Sequence, residues 1–89
     1  MGLYHTAIRY PTRKDLAIIL ERLRQARYPL SGASDHGVSE ALYLNDPDNN
    51  GVELYRDRPK ESWQYNAEGS IVMVTEPLDL VDLLGELER

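Results

Sequence analysis

Hydrophobic and polar positions change their spacing several times along the 89 residues, and each change marks an element. Residues 3–10, Leu3-Tyr4-His5-Thr6-Ala7-Ile8-Arg9-Tyr10, are rich in aromatic and β-branched side chains and stop at Pro11, which predicts a strand. Its odd positions Leu3, His5 and Ala7 share one face. Thr12 followed by Asp15 resembles a capping box, and Leu16, Ile19, Leu20 and Leu23 then recur at helical spacing, predicting an amphipathic helix over residues 12–27. Residues 28–34 are turn-rich, with a short irregular strand leading into Asp35 and His36.

Two clearer strands follow over residues 40–45 and 52–56. They are joined by Asp46-Pro47-Asp48-Asn49-Asn50-Gly51, whose residue types suit a tight hairpin. Tyr43 alternates with Leu42 and Leu44, while Glu53 and Tyr55 share the face opposite Val52 and Leu54. Beyond a polar exit at residues 56–61, Trp63 is expected to pack against the body of the chain. Residues 71–75 predict a further edge strand. Pro77 marks the start of a helix to which Leu80, Val81, Leu83, Leu84 and Leu87 give a broad apolar side.

The expected fold is therefore α+β: a βαβββ module over residues 1–63, with a largely antiparallel sheet and a C-terminal extension over 64–89 of a strand or segment and a helix. One face of such a sheet is covered by the first helix. The other is bare and would carry His5 and Glu53. The C-terminal helix is expected to dock at an edge or on a partner.

Composition sharpens this picture. Hydrophobic residues make up 42% and charged residues 28%, as in an ordinary soluble domain, and the absence of cysteine excludes a disulfide framework and thiolate metal sites. No apolar run approaches about eighteen residues and no secretory signal opens the chain, so a cytoplasmic protein without a membrane span is expected. The net charge of -5 argues against nucleic acid as a partner, although residues 1–30 carry six bases against two acids. A chain this short buries only roughly 60% of its unfolded surface, so a second copy or a companion is expected to complete it.

His5 and Glu53 pair an imidazole with a carboxylate, a mixture that suits non-haem iron, manganese or zinc. Singly, each has an ordinary structural role. A strand histidine packs or faces solvent, Glu53 alternates with apolar neighbours, His36 is a loop histidine beside Asp35, and Tyr43 is a strand aromatic.

The segment Asp35-His36-Gly37-Val38-Ser39-Glu40-Ala41-Leu42-Tyr43-Leu44-Asn45-Asp46-Pro47-Asp48-Asn49-Asn50-Gly51-Val52-Glu53-Leu54-Tyr55 carries more information as a whole. It resembles the signature of extradiol ring-cleavage dioxygenases, with a His, an apolar-Tyr pair, an acidic-Pro turn and a terminal Glu in fixed order. Those enzymes fall within the vicinal oxygen chelate superfamily of glyoxalases, bleomycin-resistance proteins and dioxygenases. Gly2-Leu3-Tyr4-His5 resembles the first strand of such modules, and Tyr55-Arg56-Asp57-Arg58-Pro59 with Trp63 resembles the catechol 2,3-dioxygenase-like branch.

The resemblance implies that His5 and Glu53 are metal ligands, with Fe(II) as the leading metal and Mn(II) or Zn(II) as alternatives. It also implies that His36 and Tyr43 hydrogen-bond a catechol-like substrate and oxygen. Neutral imidazole and carboxylate hold Fe(II) while leaving positions open, and a nearby His or Tyr can shuttle a proton without occupying one of them. Asn49 departs from the pattern, which has Gly there, but Asn tolerates a left-handed backbone. Ser34, two residues before His36, departs as well.

Modules of this family pair as half-barrels around the metal, and only one is present. With His5 and Glu53 in place, the remaining His of a facial triad must come from elsewhere. The chain opens directly on its first strand and reads as a fragment or a reduced gene product, inactive alone if so. Two other functions fit the same residues. One is a glyoxalase-like metalloenzyme in which a symmetric homodimer brings two copies of His5 and Glu53 around one metal. The other is a non-enzymatic module that binds a small planar molecule.

Overall fold

The computed structural model describes residues 6–72 and 75–89. The elements run β1 (Thr6–Arg9), α1 (Arg13–Gln25), β2 (Gly32–Asp35), β3 (Ser39–Asn45), β4 (Gly51–Asp57), β5 (Glu76–Pro77) and α2 (Leu80–Leu84), with 3-10 turns at Lys60–Ser62 and Gly85–Glu88. The βαβββ order is as expected from the pattern, and the fold is α+β. The five strands form one sheet in the order β1-β4-β3-β2-β5, in which only β1 and β4 run parallel.

Local chemistry sets the ends of α1. Thr12 is its N-cap: the hydroxyl oxygen accepts the Asp15 N–H at 3.1 Å and the hydroxyl donates to the Asp15 carboxylate at 2.9 Å. The helix closes two residues earlier than its periodicity implies because Arg27 takes φ 55. The Arg27 N–H then bonds the Arg24 carbonyl and the Tyr28 N–H bonds the Leu23 carbonyl, which satisfies the last turn. Between β3 and β4, Asn49 adopts φ 65, the left-handed conformation that its residue type tolerates, and the Asp46 carboxylate gathers the N–H groups of Asp48 and Asn50.

The core lies between α1 and one face of the sheet. Leu16, Ala17 and Leu20 of the helix meet Leu42, Leu44 and Leu54 of the central strands, and Leu78 and Leu83 of the C-terminal extension complete it. Two expectations for that extension need correction, and a third, the edge strand over residues 71–75, lies partly outside the described residues. Ile71 makes an isolated bridge to Tyr65, and the described strand that joins the sheet is Glu76–Pro77, beside β2. Pro77 sits on this outermost strand, where a missing N–H breaks no ladder, so it does not start the helix. The helix starts after Asp79, whose side chain accepts the Asp82 N–H at 3.1 Å. Finally, α2 docks within the chain's own core rather than at an edge of the sheet. It packs beside α1, with Leu83 fully buried, whereas Val81 is 81% exposed.

Buried charge reinforces that docking. Glu40, only 1% exposed, accepts from Arg13 Nε at 3.0 Å and from Arg56 Nε at 2.8 Å and Nη2 at 2.6 Å. Arg13 reaches on to Asp82 at 2.8 Å and Glu86 at 2.7 Å, joining β3, α1 and the C-terminal helix. Burial pulls the Arg13 pKa down, but its bonds to Glu40, Glu86 and Asp82 outweigh this and hold it above its ordinary value. The same guanidinium holds the carboxyls of Asp82 and Glu86 below theirs.

Candidate functional site

The face of the sheet turned away from α1 carries Tyr43 and Glu53. Register places Tyr43 of β3 directly opposite Glu53 of β4, and Glu53 beside Ala7 of β1, so these residues share that face. Their strand neighbours Leu42, Leu44 and Leu54 are buried on the other side. Glu53 is half-buried.

His36 reaches the same face from the bend between β2 and β3. Its Nε2 lies 2.8 Å from Tyr43 Oη, and its Nδ1 stands 3.5 Å from Thr75 Oγ1. The bend is tight because Gly37 has φ 81, the His36 N–H donates to the Ser39 carbonyl at 2.8 Å, and the Gly37 N–H donates to Asp35 Oδ1 at 2.9 Å. In an imidazole nitrogen bonded to a phenol either group can donate or accept, depending on the tautomer, so the pair is able to pass a proton. His36 and Tyr43, seven residues apart in sequence, are thus brought together, with Glu53 beside Tyr43. His5 lies outside the described residues.

Among the described residues no group of three or more His, Asp or Glu side chains converges as a metal site. Two residues with bearing on the site escaped the sequence reading in this role. Asp35 and Arg58 pair across the base of the His36 bend, at 3.0 and 2.8 Å. Both lie in stretches that carry the family resemblance, Asp35 beside His36 and Arg58 in Arg56-Asp57-Arg58-Pro59, but with no role attached to them there. No helix among the described residues is long and apolar enough to cross a membrane.

The βαβββ sheet, with one helix-covered face and one face carrying His, Tyr and Glu, is consistent with a single vicinal oxygen chelate module, and the chain's homologues are extradiol dioxygenases of that superfamily. It is 53% identical over 85 residues to a catechol-2,3-dioxygenase of Bacillus subtilis (strain 168), matching 96% of this chain and 30% of that protein. It is also 41% identical over 68 residues to biphenyl-2,3-diol 1,2-dioxygenase 3 of Rhodococcus globerulus, matching 73% of this chain and 36% of the relative. A second biphenyl-2,3-diol 1,2-dioxygenase of that organism is 37% identical over 67 residues. The chain thus spans about a third of the length of these relatives. No family model matches it, and no solved structure does.

Proposed function

We propose that this chain is one module of an extradiol ring-cleavage dioxygenase acting on a catechol-like substrate. The observation that carries the proposal is the 2.8 Å contact between His36 Nε2 and Tyr43 Oη on the open sheet face, with Glu53 directly across from Tyr43. The similarity to two kinds of dioxygenase supports it independently. In this reading Glu53 and His5 are the chain's contribution to a metal site, most simply one for Fe(II), and a companion module or a second copy supplies the remaining donors. A metal held by these residues would supply positive charge at the open face to a catechol-like substrate.

The chain's own groups have separate tasks. Tyr43 Oη and His36 Nε2 share a proton and pass it to or from a substrate oxygen at the open face. Tyr43 also presents a hydrogen bond that orients the substrate. The helix-side leucines keep the strands rigid, so that the two polar groups stay in register. Either the companion or the second copy would cover the sheet face and the exposed edge of β1 and exclude water.

Oxygen consumption with catechol by Fe(II)-loaded protein tests the proposal, for the chain alone and for the chain with its companion module. His36→Ala and Tyr43→Phe should lower turnover by about 10²–10⁴-fold, the range for loss of a proton-transfer group, while leaving bound iron unchanged. Undiminished turnover in both variants would remove His36 and Tyr43 from the mechanism.

A further inference from the structure

The polar segment that leaves β4 does more than end a strand. Arg58 grips the bend carrying His36 at two points. Its guanidinium pairs with both carboxylate oxygens of Asp35, Nη1 to Oδ1 at 3.0 Å and Nη2 to Oδ2 at 2.8 Å. Its backbone N–H donates to the Val38 carbonyl at 2.7 Å. The same Asp35 Oδ1 accepts the Gly37 N–H at 2.9 Å, so one carboxylate is shared between the arginine and the turn. Arg58 is itself fixed from behind: its carbonyl accepts the Trp63 indole N–H at 2.9 Å, and Nη2 lies 3.5 Å from the buried Glu40.

We propose that Arg58 is a positioning residue for His36, acting through Asp35, so that the imidazole meets Tyr43 in one orientation and one tautomer. A glycine at φ 81 makes the bend possible but does not hold it, because glycine also populates other conformations readily. The bond from the Gly37 N–H holds the bend only while the accepting carboxylate is itself immobile. A planar guanidinium immobilises both oxygens at once, whereas an ammonium reaches them as a point charge. Charge balance directs Arg58 to this task. Glu40 is shared by Arg13, Arg56 and Arg58, with Arg13 also paired to Asp82 and Glu86, and Arg58, the guanidinium furthest from Glu40, takes its close carboxylate from Asp35.

The proposal rests on the reading of His36 and Tyr43 as the proton-handling pair, where a displacement of about 1 Å can cost roughly 100-fold in rate. Its test uses the metal-free chain without substrate, so failure of the dioxygenase reading leaves the result unaffected. Long-range nitrogen–proton NMR spectra report the tautomer of each imidazole, and with 2 His and 6 Tyr in the chain assignment is direct. The wild type should show a single His36 tautomer and a ring-to-ring Overhauser contact with Tyr43. Arg58→Gln and Asp35→Asn should each shift the His36 nitrogens toward the average of a free imidazole and lose that contact, while the remaining amide spectrum persists. Arg58→Lys should restore the signature only in part. An unchanged His36 signature in folded Arg58→Gln or Asp35→Asn would overturn the proposal. Loss of the fold in all three variants would also overturn it, by assigning the pair to stability alone.

Discussion

Replacing Glu40 with glutamine removes one buried charge while nearly keeping the side-chain shape, and the structure indicates which group bears the loss. Arg13 keeps Asp82 and Glu86, and Arg58 keeps Asp35. Arg56, with a side chain 13% exposed, has both of its side-chain hydrogen bonds among the described residues directed to Glu40. The substituted amide would offer it one neutral oxygen and turn an NH2 group toward a neighbouring guanidinium. Removing one partner of a buried pair costs about 3–5 kcal/mol, and the water that reaches the partly exposed arginines places this case near about 3. At roughly 4–8 °C per kcal/mol for a domain of this size, Tm should fall by about 12–24 °C. Urea unfolding at pH 7 followed by circular dichroism measures the loss directly, and an unchanged slope would show that the unfolded state is unaltered. A loss below about 1 kcal/mol would refute the reasoning, because Glu40 would then behave like a surface ion pair. Glu40→Met combined with Arg56→Met should recover much of the loss, since removing both charges leaves neither uncompensated.

Asp82 and Glu86, held below their ordinary values by Arg13, contribute stability that is present at neutral pH and is lost as pH falls through their depressed folded-state values. The gap in urea midpoint between wild type and the Asp82→Asn/Glu86→Gln double variant should therefore close on acidification, and a gap independent of pH contradicts this linkage. Leu83→Ala should cost about 2–5 kcal/mol by opening a cavity where α2 meets the core, as read by thermal unfolding; a cost below about 1 kcal/mol would mean that the helix is not docked there. At the hairpin, Asn49→Ala should destabilise by roughly 1–2 kcal/mol while Asn49→Gly is neutral or stabilising, and equal effects would exclude a left-handed residue at that position. If a second copy rather than a companion covers the open face, sedimentation equilibrium should give twice 10.2 kDa at high concentration, and a constant single-chain mass would eliminate the homodimer.

The elements legible in the sequence are those whose causes are local. Thr12 and Asp15 cap α1, Leu16 and Leu20 set its buried face, and the turn residues around Asn49 close the β3–β4 hairpin, all within a few positions of one another. Alternation around Tyr43 and Glu53 likewise identified the open face. What was not legible depends on distant partners. Pro77 resembles a helix start, but β2 recruits it to the sheet from more than forty residues away. Glu40 looks like a polar strand residue until Arg13 and Arg56, 27 and 16 positions distant, converge on it. The family pattern singled out His36 and Tyr43 but not their contact with each other, nor the Asp35–Arg58 pair behind it, because nothing in residue spacing links a β2 terminus to a β4 exit.

The account turns on the open face of the sheet being half of a metal-dependent site. Anaerobic equilibrium dialysis against Fe(II) of the chain assembled with its second copy or companion module, comparing wild type with Glu53→Ala and His5→Ala, tests this most directly. The account predicts saturable binding by the wild type that weakens by at least about 100-fold in each variant, with His36→Ala close to wild type. Equal iron occupancy in the wild type, Glu53→Ala and His5→Ala would contradict it.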